Sequence, residues 1–209
     1  MDIEFHGANC ITIGNKNVRL VFDDNLTALG AKTVARESDV ALFTGIHGKA
    51  ASLPKLVIDS PGDYEVAGVS VQGIPARAHL DEKGTKNATI YKVIADDLRI
   101  LLMGHVYPEV SESQLEQFGT IDLLIIPVGG NGYTLDPVGA LQLMKKVEPK
   151  SVIVTHYDDS ALNFEVPQQS LEDALKVLSL EPSQTTKKLR IKSDNFIEGT
   201  LDLIVLEKS

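Results

Sequence analysis

Two short apolar runs enclosing a helical pattern constrain the fold of this chain more than any other feature, and they lie within residues 122–157. The first run, at 123–126, and the second, at 151–155, are bounded by turn-forming residues, as is typical of buried strands. Between them apolar residues recur at helical spacing, and Asp136 followed by Pro137 is a good helix N-cap and first helical residue. This strand–loop–helix–strand unit favours parallel neighbouring strands.

The second of these strands ends just before His156, at the carboxyl end where α/β proteins tend to carry their chemistry. Further patterns predict helices at 111–118 and 167–180 and a short helix or turn at 32–37. Pro182 and the polar stretch up to Lys188 end the last helix. An alternating apolar run predicts a late strand at 201–206.

The bulk composition is that of one globular domain covering residues 1–209, because 209 residues suffice for a sizeable core. The net charge of −9 and the absence of a Lys/Arg run argue against nucleic-acid binding. No apolar run is long enough to span a bilayer, so we expect no membrane partner. The single cysteine, Cys10, excludes an internal disulfide, and we expect a cytoplasmic protein.

Three short motifs within 122–157 carry a family resemblance: Pro-Val-Gly-Gly at 127–130, Thr-Leu-Asp at 134–136 and Thr-His-Tyr at 155–157. In these motifs the chain resembles the branch of the metallo-β-lactamase superfamily that contains sugar-phosphate lactonases and many Zn-dependent hydrolases. The resemblance implies an α/β class fold, a four-layer αββα sandwich of two mixed sheets flanked by helices. The strand-rich first half and the later alternation of strand and helix agree with that expectation.

The zinc motif of that family, H-x-H-x-D-H, is degraded in this chain. After a predicted buried strand at 39–44 the sequence reads Gly45-Ile-His47-Gly-Lys49-Ala50, so only the second histidine is kept. A lysine in place of the aspartate changes the local charge by two units and repels a divalent ion by several kcal/mol at about 4 Å. We therefore expect that the usual two-metal site is lost.

Four of the five histidines nevertheless fall at or beside the family's ligand positions. These are His47, His79, His105 and His156, of which His105 replaces an aspartate that bridges two metals in the family. The resemblance thus implies at most one ion, Zn or else Mn or Fe, because three neutral imidazoles and a water form a recognised zinc site. A protein without any metal fits these residues almost as well.

Other residues of the expected cleft have two interpretations each. Asp23, Asp59 and Asp81 are candidates to orient an imidazole, or are turn residues. Lys49 either substitutes for a metal cation or is a solvated loop lysine. Tyr157, like Tyr133, either contacts a ligand or belongs to the core.

Two functions follow from the resemblance, with a small-molecule substrate or anion as the partner. The first is a metal-dependent hydrolase acting on an ester, lactone or phosphoester. The alternative is a non-catalytic homologue that has lost its metal and binds a small anion or a protein, with Lys49, Arg77 and protonated histidines supplying positive charge. A third expectation is a homo-oligomer. The residues leave open whether the protein is an enzyme, because a fold does not imply a function.

Overall fold

The computed structural model describes residues 1–45, 54–197 and 199–209, which form two β-sheets with three α-helices and two 3₁₀ helices. The strands are β1 (Asp2–Gly7), β2 (Cys10–Gly14), β3 (Arg19–Phe22), β4 (Val40–Leu42), β5 (Leu56–Ile58), β6 (Gly62–Val66), β7 (Val69–Ala76), β8 (Ala88–Ala95), β9 (Leu98–Leu102), β10 (Leu123–Pro127), β11 (Ser151–Thr155), β12 (Pro182–Thr186), β13 (Lys188–Arg190) and β14 (Asp202–Leu206). The helices are α1 (Glu112–Phe118), α2 (Pro137–Val147), α3 (Leu171–Leu178) and the 3₁₀ helices Leu26–Leu29 and Ser193–Asn195.

Both sheets are mixed, as the sequence predicted. The six-stranded sheet has the order β13-β1-β2-β3-β4-β5, in which β3, β4 and β5 are parallel and the other pairs antiparallel. The eight-stranded sheet has the order β12-β14-β11-β10-β9-β8-β7-β6. Its strands from β9 to β12 are parallel, and those from β6 to β9 are antiparallel. The predicted pairing of parallel strands around β10 and β11 is therefore confirmed.

Strand β10 shows why the apolar runs are continuous rather than alternating. Leu123 and Ile125 belong to the core between the two sheets, whereas Leu124 and Ile126 belong to a second core beneath the helices. A strand that is covered on both faces must be apolar at every position. The three α-helices all contribute to this second core, outside the eight-stranded sheet, so the predicted sandwich of two mixed sheets with flanking helices is confirmed.

The helix caps follow the sequence signals at α1 and α2. The Asp136 carboxylate accepts a hydrogen bond from the Gly139 amide at 2.7 Å, and Ser111 forms a capping box with Gln114. Helix α3 is shorter than predicted, because the Ser170 hydroxyl caps it and residues 167–170 are not helical. None of the helices in the described residues is long and apolar enough to cross a membrane.

Of the two alternatives predicted at 32–37, a short helix or a turn, the helix is absent, and one strand was missed. Residues 32–37 form no helix, because the Asp24 carboxylate accepts the Val34 and Ala35 amides, each at 2.8 Å, together with the Thr33 hydroxyl. This segment and the 3₁₀ helix Leu26–Leu29 form the layer outside the six-stranded sheet. The polar stretch after α3 contains an edge strand, β12, whose residues are mostly exposed and so lack an apolar pattern.

Candidate functional site

A cavity of about 170 Å³ lies where the carboxyl ends of strands from both sheets meet. The loop after β1 contributes Asn9, the end of β3 contributes Asp23, and the loop after β9 contributes His105. The residue after β11 contributes His156. Loops around α2 and α3 complete the wall with Tyr133, Phe164, Glu165, Val166 and Gln168.

Left-handed backbone conformations are concentrated at these strand ends. Ala8, Asp23 and His156 have φ of 48°, 47° and 57°, and Gly104 has φ of 55°. For a residue with a Cβ this conformation costs roughly 1–2 kcal/mol. The fold holds these residues there through long-range contacts, such as the His156 amide donating to the Ala8 carbonyl at 2.8 Å. Strain of this kind is typical of functional sites.

The two histidines of the cavity pack against each other at right angles. The ring centroids of His105 and His156 are 5.2 Å apart with an interplanar angle of 85°. Tyr133 lies within 6.0 Å of both rings, and Phe164 lies 5.3 Å from His156. Burial, reinforced by the neighbouring imidazole, lowers the pKa of His156 to about 3. Burial and the proximity of His79 lower the pKa of His105 to about 4. Both rings are therefore uncharged at neutral pH.

Asp23 supports this site without contacting either ring. Its carboxylate accepts hydrogen bonds from the Thr44 amide at 2.7 Å and from the Thr44 hydroxyl at 2.6 Å. The same hydroxyl oxygen accepts the His105 amide at 3.4 Å, so Asp23 positions the His105 backbone through Thr44. Burial raises the pKa of Asp23 to about 6.

His79 lies beside this pair but does not line the cavity. Its amide donates to the His105 carbonyl at 2.9 Å, and its ring lies 6.0 Å from the ring of Tyr107. Its Nδ1 is buried and has no hydrogen-bond partner within the described part of the chain. Burial also lowers the pKa of His79. His79 is thus a third imidazole held close to the site with an unsatisfied nitrogen.

Three further candidates, Asp59, Asp81 and Tyr157, do not line the cavity. Asp81 accepts the Ala78 and Asn87 amides and so stabilises its own turn, and Asp59 is exposed. The Tyr157 hydroxyl donates to the Leu206 carbonyl at 3.2 Å. Its ring packs 5.5 Å from that of Phe5. His47 and Lys49 lie outside the described residues.

Asn9 and Gln168 belong to the site but were not predicted from the sequence. Each contacts one of the paired imidazoles, although the two residues are far apart in the chain and match no catalytic or metal-binding motif. Asn9 lies in the turn after β1 and Gln168 in the loop before α3. In such loops the direction of a side chain depends on tertiary contacts. Only the structure could find them.

A family model described as a β-lactamase superfamily domain matches residues 2–156, most of the chain. The chain belongs to the metallo-β-lactamase superfamily. No curated protein matches the sequence.

Three solved structures share the fold over 85–99% of the chain. A Thermotoga maritima protein assigned to the Zn-dependent hydrolases is 24% identical with a TM-score of 0.73, covering 99% of both chains. Igni18, a metallo hydrolase from Ignicoccus hospitalis, is 13% identical with a TM-score of 0.59, covering 85% of this chain and 90% of its own. CmlA, a diiron β-hydroxylase from Streptomyces venezuelae, is 11% identical with a TM-score of 0.62, covering 99% of this chain and 52% of its own.

The donors in this superfamily member fit a metal only in part. Uncharged His105 and His156 are suitable ligands, since a metal binds the neutral imidazole. Yet within residues 1–45, 54–197 and 199–209 no three His, Cys, Asp or Glu side chains are grouped so that they could hold an ion. Catalytic zinc takes three protein ligands.

The geometry does not favour an anion at this position. Arg77 lies outside the cavity, with its guanidinium carbon 3.6 Å from the centroid of the Tyr107 ring and its Nη2 donating to the Asp81 carbonyl at 2.6 Å. The paired histidines are uncharged at neutral pH. Among the described residues that line the cavity there is no lysine or arginine, whereas Asp23 and Glu165 are acidic.

Proposed function

We propose that this chain is a metal-dependent hydrolase that holds a single ion between His105 and His156, with His47 or His79 as the third ligand. The observation that carries the proposal is the pair of perpendicular, uncharged imidazoles 5.2 Å apart at the wall of a cavity. Both rings are neutral at neutral pH, and the neutral imidazole is the form that binds metal.

A bound ion would supply a Lewis acid and a water that ionises near neutral pH. The residues of the chain supply the remaining features of a hydrolytic site. The cavity of about 170 Å³ admits the reacting end of a small ester, lactone or phosphoester. The Tyr133 hydroxyl is available at the wall as a hydrogen-bond donor, and burial raises its pKa, which keeps it protonated.

Elemental analysis of protein purified without chelator tests this proposal. We expect about one equivalent of Zn, Mn or Fe, as in a mononuclear catalytic site. His105→Ala and His156→Ala should each lose most of that metal. His6→Ala is the matched control, because His6 is buried outside the cavity, with its Nε2 3.1 Å from the Thr12 hydroxyl.

Hydrolysis of a chromogenic ester, a lactone and a phosphodiester should then depend on the ion. We expect that EDTA abolishes turnover of at least one of these substrates and that the metal found by elemental analysis restores it. Protein that carries almost no metal and binds none on titration would refute the proposal. So would turnover that persists unchanged in EDTA.

A further inference from the structure

The side-chain amide of Gln168 stands directly behind His156. Gln168 is 8% exposed, and its Oε1 lies 3.2 Å from His156 Nδ1. The orientation of the amide is set by its other end, because Nε2 donates to the Val166 carbonyl at 2.8 Å. An amide oxygen can only accept a hydrogen bond, so Nδ1 of His156 must carry the proton. The lone pair of the neutral ring is then on Nε2.

Gly129 is the residue that permits this contact. A Cβ at this position would lie 2.2 Å from Gln168 Oε1 and 2.0 Å from the His156 carbonyl oxygen. Any side chain at 129 would therefore separate Gln168 from the imidazole. The Gln169 amide donates to the Gly129 carbonyl at 2.9 Å, which fixes the 167–170 segment against the loop after β10. This contact also explains why helix α3 begins only after Ser170.

His105 has a different kind of amide partner. Asn9 Nδ2 lies 3.3 Å from Nδ1 and 3.4 Å from Nε2 of the His105 ring, and the Thr155 hydroxyl donates to Asn9 Oδ1 at 2.9 Å. An amide N–H group beside both ring nitrogens disfavours the protonated ring but does not select the nitrogen that carries the proton. Of the two imidazoles, only His156 is thus held in one tautomer.

We propose that Gln168 is a positioning residue that holds His156 in its Nδ1–H tautomer, so that the unprotonated Nε2 is available to bind the metal. The role of Nε2 as a ligand rests on the function proposed above. The locked tautomer does not, because it follows from contacts within the metal-free chain. A hydrogen bond from the second ring nitrogen typically contributes 10–100-fold to metal affinity.

Nitrogen NMR of the imidazoles in metal-free protein at neutral pH gives the decisive readout, because it distinguishes the two tautomers. We expect a single Nδ1–H tautomer for His156. Gln168→Met keeps the length of the side chain and removes the acceptor, so His156 should become a mixture of tautomers. Gln168→Glu keeps an acceptor oxygen and should keep the single tautomer. Gln184→Met, on the exposed strand β12, is the matched control and should change nothing.

Zinc titration of the same variants gives the second readout. Gln168→Met should raise the dissociation constant for zinc about 10–100-fold, while Gln168→Glu should bind zinc at least as tightly as wild type. An unchanged tautomer in Gln168→Met would overturn the inference, as would equal loss of affinity in both variants. If wild type binds no zinc but the tautomers shift as described, the proposed function fails and the positioning role of Gln168 stands.

Discussion

Acidification of the metal-free protein from pH 7 to pH 4 tests whether His105 and His156 are buried in their uncharged form. In the folded chain their pKa values are about 4 and about 3, whereas a histidine in the unfolded chain has a pKa near 6.5. Asp23 has a pKa of about 6 when folded and near 3.9 when unfolded. Acid therefore changes the stability of the folded chain in opposite senses at this cavity: the two histidines lower it and Asp23 raises it.

The sign of each contribution follows from which state binds more protons. As the pH falls through 6.5 the unfolded histidines bind protons and the folded ones do not, so the free energy of unfolding decreases. Folded Asp23 binds its proton first, so it stabilises the folded chain as the pH falls from about 6 towards 4. At 1.36 kcal/mol per pKa unit, the histidines remove about 6 kcal/mol and Asp23 returns about 2 kcal/mol, a net loss of about 4 kcal/mol.

Urea unfolding in EDTA, measured at several pH values, gives these free energies directly. The His156→Gln variant isolates one histidine, because all other titrating groups are retained. Its free energy of unfolding should depend on pH less steeply than that of wild type, by about 3 kcal/mol between pH 7 and pH 4. If the two proteins lost stability in parallel over this range, His156 would not be buried as a neutral ring and the reasoning would be refuted.

Three substitutions test the framework around the site. In Gly104→Ala the new Cβ would lie 1.9 Å from the Thr44 hydroxyl oxygen at a φ of 55°, so we expect a loss of at least about 3 kcal/mol in urea unfolding. Asp122→Ala removes the buried partner of Arg99 and Lys150, each bound at 2.9 Å, and should cost about 2 kcal/mol, with Asp63→Ala, on the exposed edge strand β6, as the comparison. Asp136→Ala removes the N-cap of α2 and should lower stability by about 1 kcal/mol without altering metal content.

The parts of the fold that could be predicted are those with local chemical signals. Strands β10 and β11 are apolar on both faces because each separates two cores, and α2 has its cap and first-turn proline in the sequence. The errors lie where tertiary contacts replaced local preference. At 32–37, predicted as a short helix or turn, the Asp24 carboxylate accepts the amides that a helix would have used. Strand β12 was missed because it is an exposed edge strand with no apolar periodicity.

The candidate site was also predictable only in part. His105 and His156 could be placed together because both follow strands whose carboxyl ends lie on one side of the sandwich. The residues that support the two histidines could not be predicted. Gln168 was expected within a helix, and it reaches His156 because it lies in a loop before α3 and residue 129 has no side chain. Asp23 was a candidate to orient an imidazole, whereas its carboxylate holds Thr44.

The charge of the cavity bears on how many ions it can hold. With both histidines neutral, the charged groups among its described lining residues are Asp23 and Glu165, and Asp23 is mostly ionised at pH 7 with a pKa of about 6. Both carboxylate oxygens of Asp23 are already engaged by Thr44, so it balances charge without bridging ions. One divalent cation neutralises these two carboxylates, whereas a second would add two uncompensated positive charges at short range in a poorly solvated site. His105, at the position of the bridging aspartate in the family resemblance, offers an uncharged nitrogen in place of a shared carboxylate. This charge balance favours the single ion proposed above over a pair of ions.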